Sequence, residues 1–200
     1  MPKFTFLNLP EEKKQTLIQA AKKEFSRAPL FKASITNIIK TAGIPRGSFY
    51  QYFEDKEDLF FYLLNELAKE NKQKFISLLE KNQGDLFDTM VEFFRLVIQE
   101  EENFNFLKHT FLNMTYKIEH TFERSFSHHE TDENYKELSS LINKSNLNIT
   151  GDKELFYVMQ IVITVTFRNF VEKFAKELSV EKAMNNYLIE LNLLKRGLLK

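Results

Sequence analysis

The chain reads as an all-α protein of about nine helices, and three observations carry that reading. Apolar residues recur at helical spacing, with no alternating, sheet-like stretch and no internal repeat. Five glycines and four prolines in 200 residues leave little material for turns, which makes the helices long. Breaks at 28–30, 43–45, 82–84, 127–134 and 143–151 cut the apolar pattern into helix-length pieces. Together they predict a head of three short helices (residues 1–54), joined by a long fourth helix to a C-terminal helical bundle (55–200).

The first helix is expected over about 10–27. Asn8, Pro10 and Glu11 supply a cap, a first-turn residue and a capping-box partner, and Leu17, Ile18, Ala21 and Phe25 form its apolar stripe. After Ala28-Pro29-Leu30, Ser34 is a good N-cap for a second helix whose stripe is Ile35, Ile38, Ile39 and Ala42, and Gly43 ends it where positive φ costs glycine nothing. Pro45 has the fixed φ that suits the start of a third helix, in which Phe49 and Phe53, four apart, face inward. Two short helices joined by a tight glycine-containing turn, the second with a polar and basic outer face, fit the helix-turn-helix description. Asp55 opens the fourth helix, whose stripe runs through Leu59, Leu63, Leu67, Phe75 and Leu79.

Beyond it the pattern predicts helices at Leu86–Ile98, Phe104 to about Ile118, His120–Phe126 and near Tyr135–Ile142. Two final helices are expected at Asp152 to about Leu178 and Ser179 to about Gly197. The first of these is apolar nearly all round and must be covered on every side. One chain of this size cannot cover it fully, which predicts a homodimer through the two C-terminal helices, 152–197.

Composition sets bounds on function. Hydrophobic residues make up 43% and charged residues 28%, as in an ordinary globular protein, while most of the 21 phenylalanines recur at helical spacing between Phe75 and Phe174 and read first as core. With no cysteine, disulfides, thiolate nucleophiles and cysteine-rich zinc sites are excluded. Residues 1–10 lack a basic segment followed by an apolar run, and Leu155–Phe167, the longest apolar stretch, falls well short of the roughly 20 residues that span a bilayer; no membrane and a cytoplasmic location are expected. The formal net charge of +0 conceals an asymmetry: residues 1–53 carry nine Lys/Arg against three acids, a net +6, and the rest of the chain is −6. A basic head on an acidic body suits a phosphate-binding module attached to something that does not bind nucleic acid.

Residues 17–59 resemble the N-terminal region of the TetR family of bacterial regulators. The matching positions are Leu17-Ile18, Ala20-Ala21, Phe25, Ser34-Ile35, Ile38, Ala42-Gly43-Ile44, Gly47, Phe49-Tyr50, Tyr52-Phe53, Lys56-Glu57 and Leu59, densest from Ala42 onward. Two departures stand out: Arg27-Ala28-Pro29 replaces the glycine often found after the family's first helix, and Pro45 stands where a Ser or Thr usually caps the recognition helix. The resemblance implies a dimeric repressor that places two recognition helices in successive major grooves of a pseudo-palindromic double-stranded operator. It further implies release when a small hydrophobic effector in the C-terminal domain changes the spacing of the heads.

The expected DNA-binding residues are Ser34, Arg46, Gly47, Ser48, Tyr50, Gln51, Tyr52 and Lys56. Arg46 suits a guanine edge or a phosphate, Gly47 permits close backbone approach, and Ser48 and Gln51 offer short donors and acceptors to base edges. The resemblance gives Tyr50 and Tyr52 hydroxyls for phosphate, with packing an equal alternative for Tyr52. Ser34 and Lys56 would each bring a helix N-terminus to a phosphate, although plain caps and surface charges look the same. In the Phe-rich body Phe93, Phe94, Phe111, Met114, Phe167 and Phe170 are candidates to line an apolar effector pocket, a pattern that core residues share. His128-His129-Glu130 can be weighed as a metal site, but no further ligand stands at a fixed spacing, so no metal and no cofactor are assigned. Without a Gly-rich loop, a His-Glu-x-x-His pattern or a cysteine, no enzyme is expected. The competing reading is a helical dimeric interaction or metal- or haem-sensing protein with degenerate DNA binding.

Overall fold

The computed structural model describes residues 2–126 and 133–198, and the side chains of 123–126 are left aside. Among the described residues the chain is all-α, with eleven α-helices where about nine were expected. These are α1 (Phe4–Leu7), α2 (Glu11–Arg27), α3 (Ile35–Ala42), α4 (Arg46–Tyr52), α5 (Lys56–Lys81), α6 (Leu86–Gln99), α7 (Phe104–Leu112), α8 (Tyr116–Phe126), α9 (Glu133–Leu141), α10 (Asp152–Ala175) and α11 (Val180–Leu198), with a 3-10 turn at Lys144–Asn146.

Several boundaries correct the sequence expectation. The segment before Pro10 contains α1, whose Phe6 is fully buried. Asn8 does not cap α2, because Pro10 holds the N-cap position and no side chain bonds there. The helix expected from Phe104 to about Ile118 stops at Leu112, where the Asn113 side chain donates back to the His109 carbonyl, and α8 begins at Tyr116. At Gly43 the expectation holds: φ is +66°, and the Ile44 N–H reaches back to the Ile39 carbonyl.

The helices form two compact units, each described by itself. The first comprises Met1–Ala68 with Glu101–Ile118, and the second Lys69–Glu100 with Glu119–Lys200. The helix α5 contributes its first half to one and its second half to the other.

In the first unit α2 packs on α3 and α7, and α4 packs on α1 and α3. Its core is aromatic and aliphatic: Phe25 lies edge-on to Phe60 at 5.2 Å, and Leu17, Ile38, Phe49, Phe53 and Leu59 are fully buried. In the second unit α6, α10 and α11 pack together, with α9 against α10. Phe94 is stacked between Phe170 and Tyr187, with ring centroids 4.9 and 4.2 Å away. The α5–α6 turn needs glycine at position 84: φ is +81°, and a Cβ there would stand 2.5 Å from the Leu141 carbonyl oxygen.

By length and composition α10 is apolar enough to cross a membrane. It nonetheless buries Thr166, Asn169 and Lys173 within the second unit, where Asn169 donates to Glu190 and the Lys173 ammonium to the Leu178 carbonyl. That is how a core helix satisfies its polar groups.

Candidate nucleic-acid interface

The recognition helix α4 is seven residues long and cannot stand alone, so neighbours must hold it. Its inner face supplies Phe49, continued by Phe53, both fully buried. Phe6 fills the space beside them, its ring 4.7 Å from Phe53 and 5.3 Å from Tyr62. The N-terminal segment also satisfies the carbonyls left open at the helix end. The Lys3 N–H donates to Tyr52 O and its ammonium to Tyr50 O, each at 2.8 Å, and the Thr5 hydroxyl donates to Gln51 O. A positive charge at this end also matches the helix dipole. Sequence reading did not find this clamp; the Phe4/Phe6 pair flanked by Lys3 was its only signal.

The corner between α2 and α3 is held by a buried carboxylate that sequence reading also passed over. Glu24 accepts two hydrogen bonds from Arg27, at 2.7 and 2.9 Å, one from the Ser34 N–H at 2.8 Å, and others from the Asn37 amide. The Arg27 guanidinium first, then Ser34 and Asn37, hold its pKa at about 2 against the burial that pushes it up. Arg27, which stands where the family's glycine is expected, is thus part of the corner itself.

The outer face of α4 presents Arg46, Gly47, Tyr50 and Gln51 to solvent, with Ser48 and Tyr52 half-buried. The Arg46 guanidinium donates to the Tyr50 hydroxyl at 3.2 Å and reaches the Thr36 hydroxyl of α3 at 3.5 Å, so both helices of the motif join in one polar surface. Gly47 has no internal reason to be glycine: its φ is ordinary, and a Cβ would meet nothing within 4 Å. Glycine costs a helix interior about 1 kcal/mol relative to alanine, and no contact within the chain offsets that cost here.

The remaining two expected residues are more committed. Ser34 occupies the N-cap of α3, but its side chain makes no cap bond. The Lys56 ammonium donates to Phe31 O at 3.0 Å and Ala33 O at 2.9 Å, closing the α2–α3 loop onto the start of α5.

The body residues divide. Phe93, Phe167 and Phe170 come together around a wholly apolar cavity in the second unit, completed by Phe75, Met90, Met159 and other residues of α6, α9 and α10. Phe94 is stacked behind it and does not line it. Phe111 and Met114 fall in the first unit and do not join the site. The cavity measures about 30 Å³, room for one water-sized group, so the drug-sized pocket expected from the sequence is filled by its own aromatic rings. At its edge Thr166 shares a 2.7 Å hydrogen bond with Tyr187, whose pKa burial pushes far up. His128, His129 and Glu130 lie outside the described residues.

The sequence model for the C-terminal domain of tetracyclin repressor-like proteins matches residues 85–198, more than half of the chain, and that for bacterial regulatory proteins of the tetR family matches 17–63. The chain belongs to the TetR family. Among curated relatives of this family, YdgC of Bacillus subtilis, an uncharacterized HTH-type transcriptional regulator, is 32% identical over 96 residues, covering 48% of each chain. The chain thus spans about half the length of that relative, and about a third or less of the others it matches. A TetR-family structure from Chloroflexus aurantiacus shares 24% identity and a TM-score of 0.53, covering 100% of this chain and 99% of that one. FadR of Bacillus subtilis in complex with stearoyl-CoA shares 16% identity and a TM-score of 0.57, covering 88% and 96%. At these identities the likeness is one of fold.

Proposed function

We propose that this TetR-family regulator is a dimeric repressor, held on a pseudo-palindromic operator by two recognition helices and released when a small hydrophobic effector enters the second unit. The observation that carries the reading is the outer face of α4: an exposed Arg46–Tyr50 pair beside Gln51, and a glycine at position 47 that nothing inside the chain requires. Arg46 supplies the forked donor set that reads guanine or clamps phosphate, and Gly47 leaves room for the sugar-phosphate backbone. Ser48, Gln51 and the Tyr50 and Tyr52 hydroxyls surround them, and the net +6 of residues 1–53 supplies the long-range attraction. Ser34 adds an unspent cap hydroxyl, whereas Lys56 acts through the loop it holds.

The partner subunit supplies the missing cover for α10 and α11. Tyr157 and Ile161, one turn apart on α10, and Ile189 and Leu193, one turn apart on α11, are exposed, Leu193 at 60%. A second copy burying these rows matches what a symmetric dimer needs.

The effector reading rests on the apolar lining of the second unit's cavity. At about 30 Å³ it admits an acyl or aromatic group only if Phe93, Phe167 and Phe170 swing aside, and Met90 and Met159 are the adaptable neighbours that accommodate such repacking. FadR of Bacillus subtilis, which shares the fold, holds stearoyl-CoA, a ligand with an apolar acyl chain. The α5 helix, continuous from Lys56 to Lys81, is the route by which such repacking reaches the head, and operator DNA weakens effector binding by the same factor.

The test is binding of the purified protein to the intergenic DNA upstream of its own coding region at two salt concentrations, alongside Arg46→Ala and Tyr50→Ala. Tight, steeply salt-dependent binding is expected, with Arg46→Ala about 10- to 100-fold weaker while still dimeric. Weak, sequence-blind binding that both variants leave unchanged overturns the reading.

A further inference from the structure

The first unit holds a cavity of about 250 Å³, far larger than the apolar one in the second. Its walls are aromatic: Phe60 and Phe61 from the start of α5, and Phe31 from the α2–α3 loop. Phe31 is 65% exposed and leaves its ring open to a ligand in the cavity. The polar groups are Glu57 on the α5 side and His109, Asn113, Thr115 and Lys117 on the α7–α8 side.

Most of the hydrogen-bond donors here are turned onto the protein's own chain. The Asn113 amide donates to the His109 carbonyl at 2.8 Å, and the His109 ring is hydrogen-bonded to the backbone of Ser26 and Arg27. Burial, and then Lys108, hold that imidazole below its usual pKa, so it adds no positive charge near neutral pH. The Thr115 hydroxyl accepts from the Ile118 N–H at 3.4 Å. Apart from Lys117, whose ammonium is paired with Glu57, the site therefore offers an anion little.

It is well equipped for a cation, because it already holds one. The Lys117 ammonium sits 4.1 Å from the centroid of Phe61 and 2.6 Å from the Glu57 carboxylate. A second ammonium, that of Lys32, lies 5.6 Å over Phe31. An aromatic face and a carboxylate converging on one ammonium is the chemistry that recognises organic cations. We propose that this cavity binds small alkyl- or arylammonium ligands, the ligand's cationic head taking the place on Phe61 and Glu57 that the tethered Lys117 ammonium fills. The lysine is an internal competitor for both groups, which keeps the affinity of the native chain low. The site stands on the geometry of the first unit and does not depend on the regulator reading.

The experiment uses the full-length protein and benzyltrimethylammonium, with benzyl alcohol and benzoate as neutral and anionic controls at matched ionic strength, followed by calorimetry and ligand-observed NMR. Saturable millimolar binding of the cation alone is expected, tightened about 2- to 5-fold in Lys117→Gln, where the exposed competitor is gone. Glu57→Gln weakens it on the order of 10-fold and Phe61→Leu several-fold, since each removes one half of the cation's environment. Glu57 and Lys117 are surface side chains, and unchanged helical circular dichroism confirms that each variant is folded; Phe61→Leu provides an independent readout. Lys117→Gln binding no tighter than the native chain, Glu57→Gln binding unchanged, or benzoate binding as well as the cation each overturns the proposal.

Discussion

The two units solve the same problem, holding short or crowded helices in place, by different chemistry. In the first, a seven-residue and an eight-residue helix are too short to persist, and long polar side chains from elsewhere in the sequence close their ends: Lys3 and Thr5 on the carbonyls of α4, Glu24 on the amide of Ser34, and Lys56 on the carbonyls of Phe31 and Ala33. In the second, long helices need little capping, and Phe94, Phe170 and Tyr187 interlock face to face. The difference suits the tasks proposed for them. A clamp of directional hydrogen bonds fixes one geometry, as a surface in register with operator DNA would require, while stacked rings and methionines allow the repacking that a guest would require.

The comparison is broken most severely at Phe94. It is fully buried, and Phe94→Ala removes the ring that both Phe170 and Tyr187 face. The expected cost is about 4 kcal/mol in denaturant unfolding, the range for a large aromatic cut to alanine in a tight core. A loss below about 1 kcal/mol means that the stack is not what holds the second unit.

The matching break in the first unit is Glu24→Gln. The carboxylate's pKa of about 2 lies below its ordinary 4.5, so its stabilisation is fully present above 4.5 and is lost as pH falls from there towards 2. The expected contribution at neutral pH is on the order of 2 kcal/mol, less than the bare shift implies because the Arg27 partner faces solvent. Unfolding titrations of native chain and variant should converge as pH falls through that window; parallel curves would show that the corner is held by something else. Lys56→Met is the weaker test, expected to cost about 1 kcal/mol through the two loop carbonyls it leaves open, and a null result there assigns Lys56 to the surface.

These contrasts explain what could be read from the sequence. Local features were legible: Gly43 at positive φ, the inward Phe49 and Phe53, and the outward Arg46, Gly47, Tyr50 and Gln51 all follow from spacing within one or two turns. The clamps were not, because Lys3 meets Tyr50 and Lys56 meets Phe31 across gaps that periodicity does not see. The break at Asn113 was missed since Phe111 and Ile118 continue an apolar pattern through it; the local signal was a side-chain amide turning back to His109. For the same reason Phe111 and Met114 were placed with Phe93, when the turn carries them into the other unit. Core and cavity share one composition, so the cavity's small volume had no sequence signature at all.

The finest distinction concerns a polar side-chain pair, Thr166 and Tyr187, at the edge of the second unit's cavity. The Thr166 hydroxyl donates its single proton to the Val162 carbonyl at 2.7 Å, so in its 2.7 Å contact with Tyr187 the phenol must be the donor. Two conservative substitutions should therefore differ. Tyr187→Phe leaves Thr166 still donating to Val162 and removes only one accepted bond, at a cost of about 0.5 kcal/mol. Thr166→Val strands the buried Tyr187 hydroxyl without its acceptor and should cost about 1 kcal/mol more, although it too removes a single hydroxyl. Equal costs, or the reverse order, would mean that the phenol is the acceptor or finds another partner. The effector reading gives the pair a second readout: a ligand that parts Tyr187 from its acceptor strands the phenol unless it supplies another. Tyr187→Phe should then ease operator release by effectors lacking a hydrogen-bond acceptor and weaken release by those carrying one.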